Sequence, residues 1–320
     1  MKMFRIAGLL AAGALALSAC SGTGKESNEA DGKKLDLTYA VITHAGAGDA
    51  FWDRVKSGSE RAGKDYGVKV DYNGDADPAK QSQLIDNAVA QKVNGIVVSM
   101  ANPDGLEASI KKAVSAGIPV VTINSGIERY KEFGAITHVG QSEQIAGEAV
   151  GDRLKEEGLK NVLCVIHEAG NVGLETRCKA AADKAGGKVT NIQVDGTNDA
   201  EVKSTLKSKL QSDKSVDGVL TLGGQFAIDA MGAVDESGSS AKVATFDLSE
   251  DVIKGIQDGK VLFAVDQQPY VQGYEGVSVL YLKDINGNDL GGGEPVYSGP
   301  AFITKDNADA VLKFAKNGTR

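Results

Sequence analysis

The sequence predicts an α/β protein made of two doubly wound, parallel-sheet lobes with a hinge between them. Three observations predict it. Short Val/Ile-rich runs alternate with longer stretches whose apolar residues recur at helical spacing. The apolar runs, such as Ile96-Val97-Val98 and Val120-Val121, are continuous rather than alternating, as strands covered by helices on both faces require. The chain of 320 residues, with 40 glycines, is longer than one such sheet needs and rich enough in turn formers for many strand–helix connections.

Taken in order, the first series reads as strand 37–43, helix 51–66, strand 68–72, helix 79–92, strand 95–99, helix 103–116 and strand 119–123. A second series begins after His138, with helix 142–157, strand 161–166, helix 174–185, strand 188–194 and helix 200–212. Strand 218–221, helix 226–237 and strand 242–246 continue it. A short helix at 250–258, a strand at 261–265, a long helix at 272–285, a glycine-rich break at 291–293 and a strand at 301–303 complete the chain. The late position of the long helix implies three passages between lobes. The expected lobes are therefore discontinuous: 35–134 with 267–292, and 135–266 with 293–320.

Before residue 35 the sequence has another character. Lys2 and Arg5 precede an apolar run from Ile6 to Leu17 that ends in Leu17-Ser18-Ala19-Cys20. Such a run is short for a bilayer span and has the form of an export signal over 1–19. The closing residues resemble a bacterial lipobox, which implies lipid attachment at Cys20; the plainer alternative is a buried free cysteine after an ordinary signal. Residues 20–34 are polar and aperiodic, a flexible tether.

The net charge of −8 argues against nucleic acid, whose binders cluster Lys and Arg. Of three cysteines, Cys164 falls in a strand and Cys178 near the start of the next helix. In an oxidising compartment they could be bridged or could be two separate buried thiols, and the sequence leaves both open. No set of ligands for a metal accompanies them.

In open parallel sheets ligands bind beyond the carboxyl ends of the strands, so the loops there hold the candidates. His44-Ala45-Gly46-Ala47-Gly48-Asp49-Ala50-Phe51-Trp52 offers two thirds of a dinucleotide fingerprint, but Phe51 stands where a small residue must let helix and sheet approach. The competing reading makes Phe51 and Trp52 an apolar plate beside polar Asp49, suited to the C–H face and hydroxyl rim of a sugar; the bland reading is that they only anchor a helix. The stretch from Gly58 to Asp65 approaches a phosphate-binding loop, yet lies inside a helical pattern and lacks the final Ser/Thr. His167-Glu168 has no second histidine for a zinc-hydrolase motif, and no nucleophile, base and orienting group line up. No enzyme and no cofactor is expected.

Four motifs, Gly117-Ile118-Pro119-Val120-Val121-Thr122-Ile123-Asn124, the helix start holding Arg177, Phe246-Asp247 and Asp266-Gln267-Gln268-Pro269, carry a resemblance. Almost the whole chain after the tether is similar to the periplasmic binding proteins of type I that serve ribose, galactose and inositol. The resemblance implies ligand contacts from Asp49, Phe51 and Trp52 in the first loop, and from Asn124 with Ser125 beside it. It also implies Asn171, Arg177 donating a fork of hydrogen bonds, Asp247 accepting two hydroxyls, and Gln267 at the hinge. Asn198 aligns loosely. Where the family places an asparagine and an aspartate, this chain has Gly223-Gly224-Gln225, so either Gln225 substitutes or the ligand is shaped differently there.

The implied function is capture of a monosaccharide or polyol in the cleft by hinge closure for an ABC importer, with its permease and ATPase as partners. The implied state is a monomer, lipid-anchored outside the cytoplasm. A receptor that senses a small signalling molecule with the same lobes is the alternative.

Overall fold

The structure, a computed structural model, describes residues 36–46 and 48–320. The expected signal, Cys20 and the tether lie outside the described residues. No described helix is long and apolar enough to cross a membrane.

The first sheet is fed by β1 (Thr38–Thr43), α1 (Ala50–Tyr66), β2 (Lys69–Gly74), α2 (Pro78–Ala90), β3 (Gly95–Ser99), α3 (Pro103–Ser115), β4 (Val120–Ile123) and β5 (Thr137–Gly140). The second takes α4 (Glu143–Glu156), β6 (Asn161–Ile166), α5 (Val172–Lys184), β7 (Lys188–Gln193), α6 (Asp199–Ser212) and β8 (Gly218–Thr221). It continues with α7 (Gly224–Ser237), β9 (Lys242–Phe246), α8 (Glu250–Gln257) and β10 (Val261–Asp266). The chain then returns through α9 (Pro269–Asn286) and β11 (Val296–Tyr297) to the first lobe, and ends with β12 (Ala301–Ile303) and α10 (Ala308–Lys316) in the second.

The strand orders are β11-β5-β4-β3-β1-β2 and β12-β10-β9-β8-β6-β7. The two lobes thus repeat one plan: β1 corresponds to β6, β3 to β8 and β4 to β9. All pairings are parallel except β12 on β10. Because successive side chains alternate, each strand feeds two cores. Ile42, Ile96 and Val98 pack on one side of the first sheet, and Tyr39, Val41 and Val97 on the other.

The expected boundaries at 134 and 292 need correction. Thr137–Gly140 pairs with β4 and Val296–Tyr297 pairs with β5, so both belong to the first sheet rather than the second. The chain passes between sheets after Gly140, after Asp266 and after Tyr297.

Two helix pairs are held unusually close by glycine. A Cβ at Gly58 of α1 would lie 2.0 Å from the Tyr270 carbonyl oxygen, and one at Gly273 of α9 would lie 2.0 Å from that of Val55. Gly147 and Gly151 of α4 do the same against α5. The glycines that gave 58–65 its phosphate-loop look therefore serve packing: Gly58 faces α9, and a Cβ at Gly63 would press on Val70. Cys164 on β6 and Cys178 on α5 form a disulfide, their Cα atoms 5.8 Å apart.

Candidate ligand-binding site

A cavity of about 390 Å³ lies between the carboxyl ends of the two sheets and is lined by both lobes. The first lobe supplies Asp49, Phe51, Trp52, Asn124 and Ser125, and the second supplies Asn171, Arg177, Gln225 and Asp247, with Gln267 at the passage between them. These ten sequence candidates are brought together. Asn198 is not: it is exposed and caps α6, its Oδ1 accepting from the Glu201 amide at 3.2 Å. Asparagine suits helix caps and hydroxyl ligands alike, which is why the sequence could not separate the two uses.

Asn124 and Asp247 hold equivalent places, the first residue after β4 and after β9. Each has a left-handed backbone, φ 63° and 68°, a conformation that Asn and Asp tolerate better than other side-chain-bearing residues. Each is fixed by its own amide, Asn124 donating to Val139 O at 3.2 Å and Asp247 to Val265 O at 2.8 Å. Both meet Gln267. Asn124 Nδ2 donates to Gln267 Oε1 at 3.1 Å, and Gln267 Nε2 donates to Asp247 Oδ1 at 2.8 Å. The Gln267 carbonyl in turn accepts from Ser298 Oγ at 2.7 Å and Gln272 Nε2 at 2.9 Å, which ties the passage to α9 and to the strand β11 beyond it.

Arg177 lies 3% exposed, its guanidinium 4.6 Å from the Phe246 ring centroid. The expected fork of donors points elsewhere than into the cavity. Nε and Nη2 grip the carboxylate of Glu143, itself 2% exposed at the start of α4. Nη2 also reaches Gln267 Oε1 at 3.2 Å, and Nη1 reaches Leu222 O at 3.4 Å. Of five N–H groups, one on Nη1 is left for a ligand. Glu143 was missed by the sequence reading; the acidic residue opening a helix behind Gln141-Ser142 reads as a simple cap.

Burial pushes the Asp247 carboxyl up to about 7, with Arg177 and the Gln267 bond pulling the other way. Burial likewise raises Asp49, against the amide of Phe51 that donates to its Oδ1 at 2.8 Å. His44 and His167 stand at equivalent positions after β1 and β6. Burial lowers both, His167 to about 3, so neither carries charge at neutral pH. His44 Nδ1 lies 2.7 Å from Ser99 Oγ, and His44 Nε2 lies 3.5 Å from Asn171 Nδ2.

The aromatic pair divides its work. Trp52, 6% exposed, is packed in the first lobe's core and shows only part of its surface to the cavity, while Phe51 meets it edge-on with centroids 4.9 Å apart. Trp52 therefore anchors α1 in the core and also lines the cavity. A second aromatic surface, unforeseen from the sequence, is Phe226 stacked on His167 at 4.1 Å. Gly223 makes room for it, since a Cβ there would come within 3.1 Å of the Phe226 ring. At the margin, Gln225 donates to Asp199, while Arg54 Nε donates to the Arg320 carbonyl at 2.8 Å. The Arg320 guanidinium sits on buried Asp266, at 2.6 Å and 2.7 Å. Among the described residues no cluster of His, Cys, Asp and Glu suits a metal ion.

A cleft formed by strand ends of two repeated lobes, joined by three passages, is the architecture of solute capture. The model of the periplasmic binding protein domain matches residues 39–288. The chain belongs to this family. Its members are solute-binding proteins rather than enzymes, and fold as two parallel-sheet α/β lobes. This binding protein is 26% identical to a xylitol-binding protein of Mycolicibacterium smegmatis over 97% of this chain and 88% of that one. It is 24% identical to a ribose import binding protein of Bacillus subtilis, over 80% of this chain and 85% of that one. Among solved structures it is similar to a carbohydrate transporter from Acidothermus cellulolyticus 11B in complex with myo-inositol. That likeness has 45% identity and a TM-score of 0.88, and covers 89% of the binding protein and 100% of that chain.

Proposed function

We propose that this binding protein captures a cyclic polyol of the inositol type in the interlobe cavity and presents it to an ABC importer. The observation that carries the reading is that each lobe lends the cavity an aromatic surface, Phe51 with Trp52 from the first and Phe226 from the second, among hydrogen-bonding groups. A cyclitol has apolar C–H faces and a rim of hydroxyls, so it suits a cavity lined by both aromatic surfaces and hydrogen-bonding groups. Asp247 Oδ2, Asp49 and Glu168 are acceptors for that rim, and Asn171, Asn124 and the last Arg177 N–H are donors. Likeness to the myo-inositol complex supports the same class.

Capture proceeds by closure about the passages at Gln141, Gln267 and Ser298, because a ligand that touches both lobes favours the form in which both reach it. Export with lipid attachment at Cys20, a tether over 20–34, action as a monomer and delivery to a permease and its ATPase complete the reading. Exchange of Cys20→Ser should release the protein from the membrane fraction.

Thermal shift with myo-inositol, scyllo-inositol, ribose and xylitol tests the ligand class. A saturable rise in melting temperature with an inositol, lost in Asp247→Ala, is expected, since binding to the folded form alone raises its stability by mass action. A rise with ribose or xylitol but with neither inositol would replace the cyclitol by a smaller sugar or polyol. A protein that melts cooperatively and responds to none of them would sink the reading.

A further inference from the structure

The cavity has an imbalance of charge and of hydrogen-bonding sense that a neutral polyol leaves partly unused. Five carboxylates line it, Asp49, Glu168, Asp199, Asp229 and Asp247. Three arginines do as well, but Arg177 is paired with Glu143 and Arg320 with Asp266, while Arg54 gives two of its N–H groups to the carbonyls of Ala50 and Arg320. Glu143 and Asp266 are buried carboxylates behind the wall, so two of the three positive charges are already matched there. His44 and His167 are uncharged. The acidic side chains of the cavity therefore outnumber its one cation without a carboxylate partner, Arg54.

The unfilled atoms point the same way. Asp247 is only 9% exposed, and its Oδ2 has no hydrogen-bond partner among the described residues, while Oδ1 is taken by Gln267. Asp49 is met on Oδ1 by Phe51, and Glu168 on Oε2 by Asn171, which leaves the second oxygen of each to a ligand. His167 Nδ1 and Asp229 Oδ2 are buried without partners. A hydroxyl gives such a wall one proton; an ammonium group gives three and a charge. A carboxylate or phosphate gives none to speak of and brings a like charge. Burial holds the Asp247 carboxyl up at about 7 although Arg177 and the Gln267 bond pull it down.

From this we infer that the site takes an aminocyclitol, a cyclic polyol with one hydroxyl replaced by an ammonium group, at least as tightly as the neutral parent, and rejects the phosphorylated parent. The inference rests on the inositol reading above and narrows its ligand class.

Isothermal titration of the full chain at pH 7 with three probes tests it: scyllo-inositol, 1-amino-1-deoxy-scyllo-inositol and myo-inositol 1-phosphate. The expected result is an amine Kd equal to or below that of scyllo-inositol, and phosphate binding at least a hundredfold weaker. In Asp247→Asn the ratio of amine to neutral affinity should fall, whereas a merely structural loss would lower both together. Binding of scyllo-inositol with a weaker amine, or with comparable phosphate binding, would overturn the inference and leave the inositol reading standing. Binding of the amine alone would support the charge preference and overturn the neutral ligand. Binding of none of the three would overturn both.

Discussion

The side-chain amide of Gln267 joins Asn124, at the end of the fourth strand of one lobe, to Asp247, at the end of the fourth strand of the other. The amide orientation is fixed by this pairing: the carboxylate requires the NH2 group and Asn124 requires the oxygen. One uncharged residue thus sets the distance between the two halves of the binding wall.

Gln267→Leu fits the space but strips Asn124, Arg177 and Asp247 of a shared partner. Leaving buried polar groups unmatched costs about 1–3 kcal/mol, which lowers the melting temperature by roughly 5 °C in a chain of this size. Calorimetry should show that loss together with about tenfold weaker ligand binding, since a misplaced Asp247 loses one of its charge-assisted bonds.

Burial raises the Asp247 carboxyl from its ordinary 3.8 in the unfolded chain to about 7 in the folded one. Between those values the folded form keeps a proton that the unfolded form releases, so stability drains away as pH rises through the window. Asn at this position has no proton to lose. The melting temperature of Asp247→Asn should therefore match the parent below about pH 4, and exceed it above about pH 7 by on the order of 5 °C. His138 and His167, held neutral by burial, act in the opposite sense, with stability lost as pH falls from 6.5 towards about 3. They are common to both proteins and cancel in the comparison. Ligand affinity should fall in the variant although its stability rises.

Arg177→Met leaves Glu143 buried without a countercharge. Removing one member of such a pair costs about 3–5 kcal/mol, so the variant should melt roughly 10 °C lower. Exchanging Glu143→Leu as well should recover most of that loss, because two apolar side chains need no matching. Titration should find that ligand binding is not recovered, since the remaining N–H of Arg177 and its hold on Gln267 are gone.

Gly273→Ala tests the contact between α1 and α9. A methyl group 2.0 Å from the Val55 carbonyl must push the helices apart, with a loss of about 1–3 kcal/mol measurable by denaturant titration. Addition of ATP should leave the melting temperature unchanged, because the Gly58 to Asp65 stretch is helix with its amides already bonded.

Reduction should matter to the second lobe alone. Cys178→Ala opens a loop that closes on Cys164 fourteen residues away, a cross-link worth about 3 kcal/mol by loop-closure entropy. Iodoacetamide labelling of the unfolded chain should find no free thiol at either position without a reductant.

Most of the fold was legible because parallel strands buried on both faces need continuous apolar runs, and Ile96-Val97-Val98 is one. β5 escaped because Thr137-His138 interrupts its apolar signal, and β11 because it is only two residues long. The strand-end positions of Asn124 and Asp247 could be found, since loops beyond parallel strands are where side chains converge, and Arg177 lies in the first turns of the helix that follows such a loop. Their partners could not. Glu143 meets Arg177 across 34 residues and Gln267 meets Asn124 across 143, and no local pattern encodes a contact that only packed lobes create. Phe226 was hidden for the same reason: its ring counts as a wall only once Gly223 and His167 are seen beside it.

Asn124 and Asp247 answer to one address in two copies of a single plan, yet one is neutral and the other acidic. That difference gives the cleft a compass. A ring molecule of the proposed kind, whose edges look nearly alike to solvent, would meet unlike walls here and would be seated one way round.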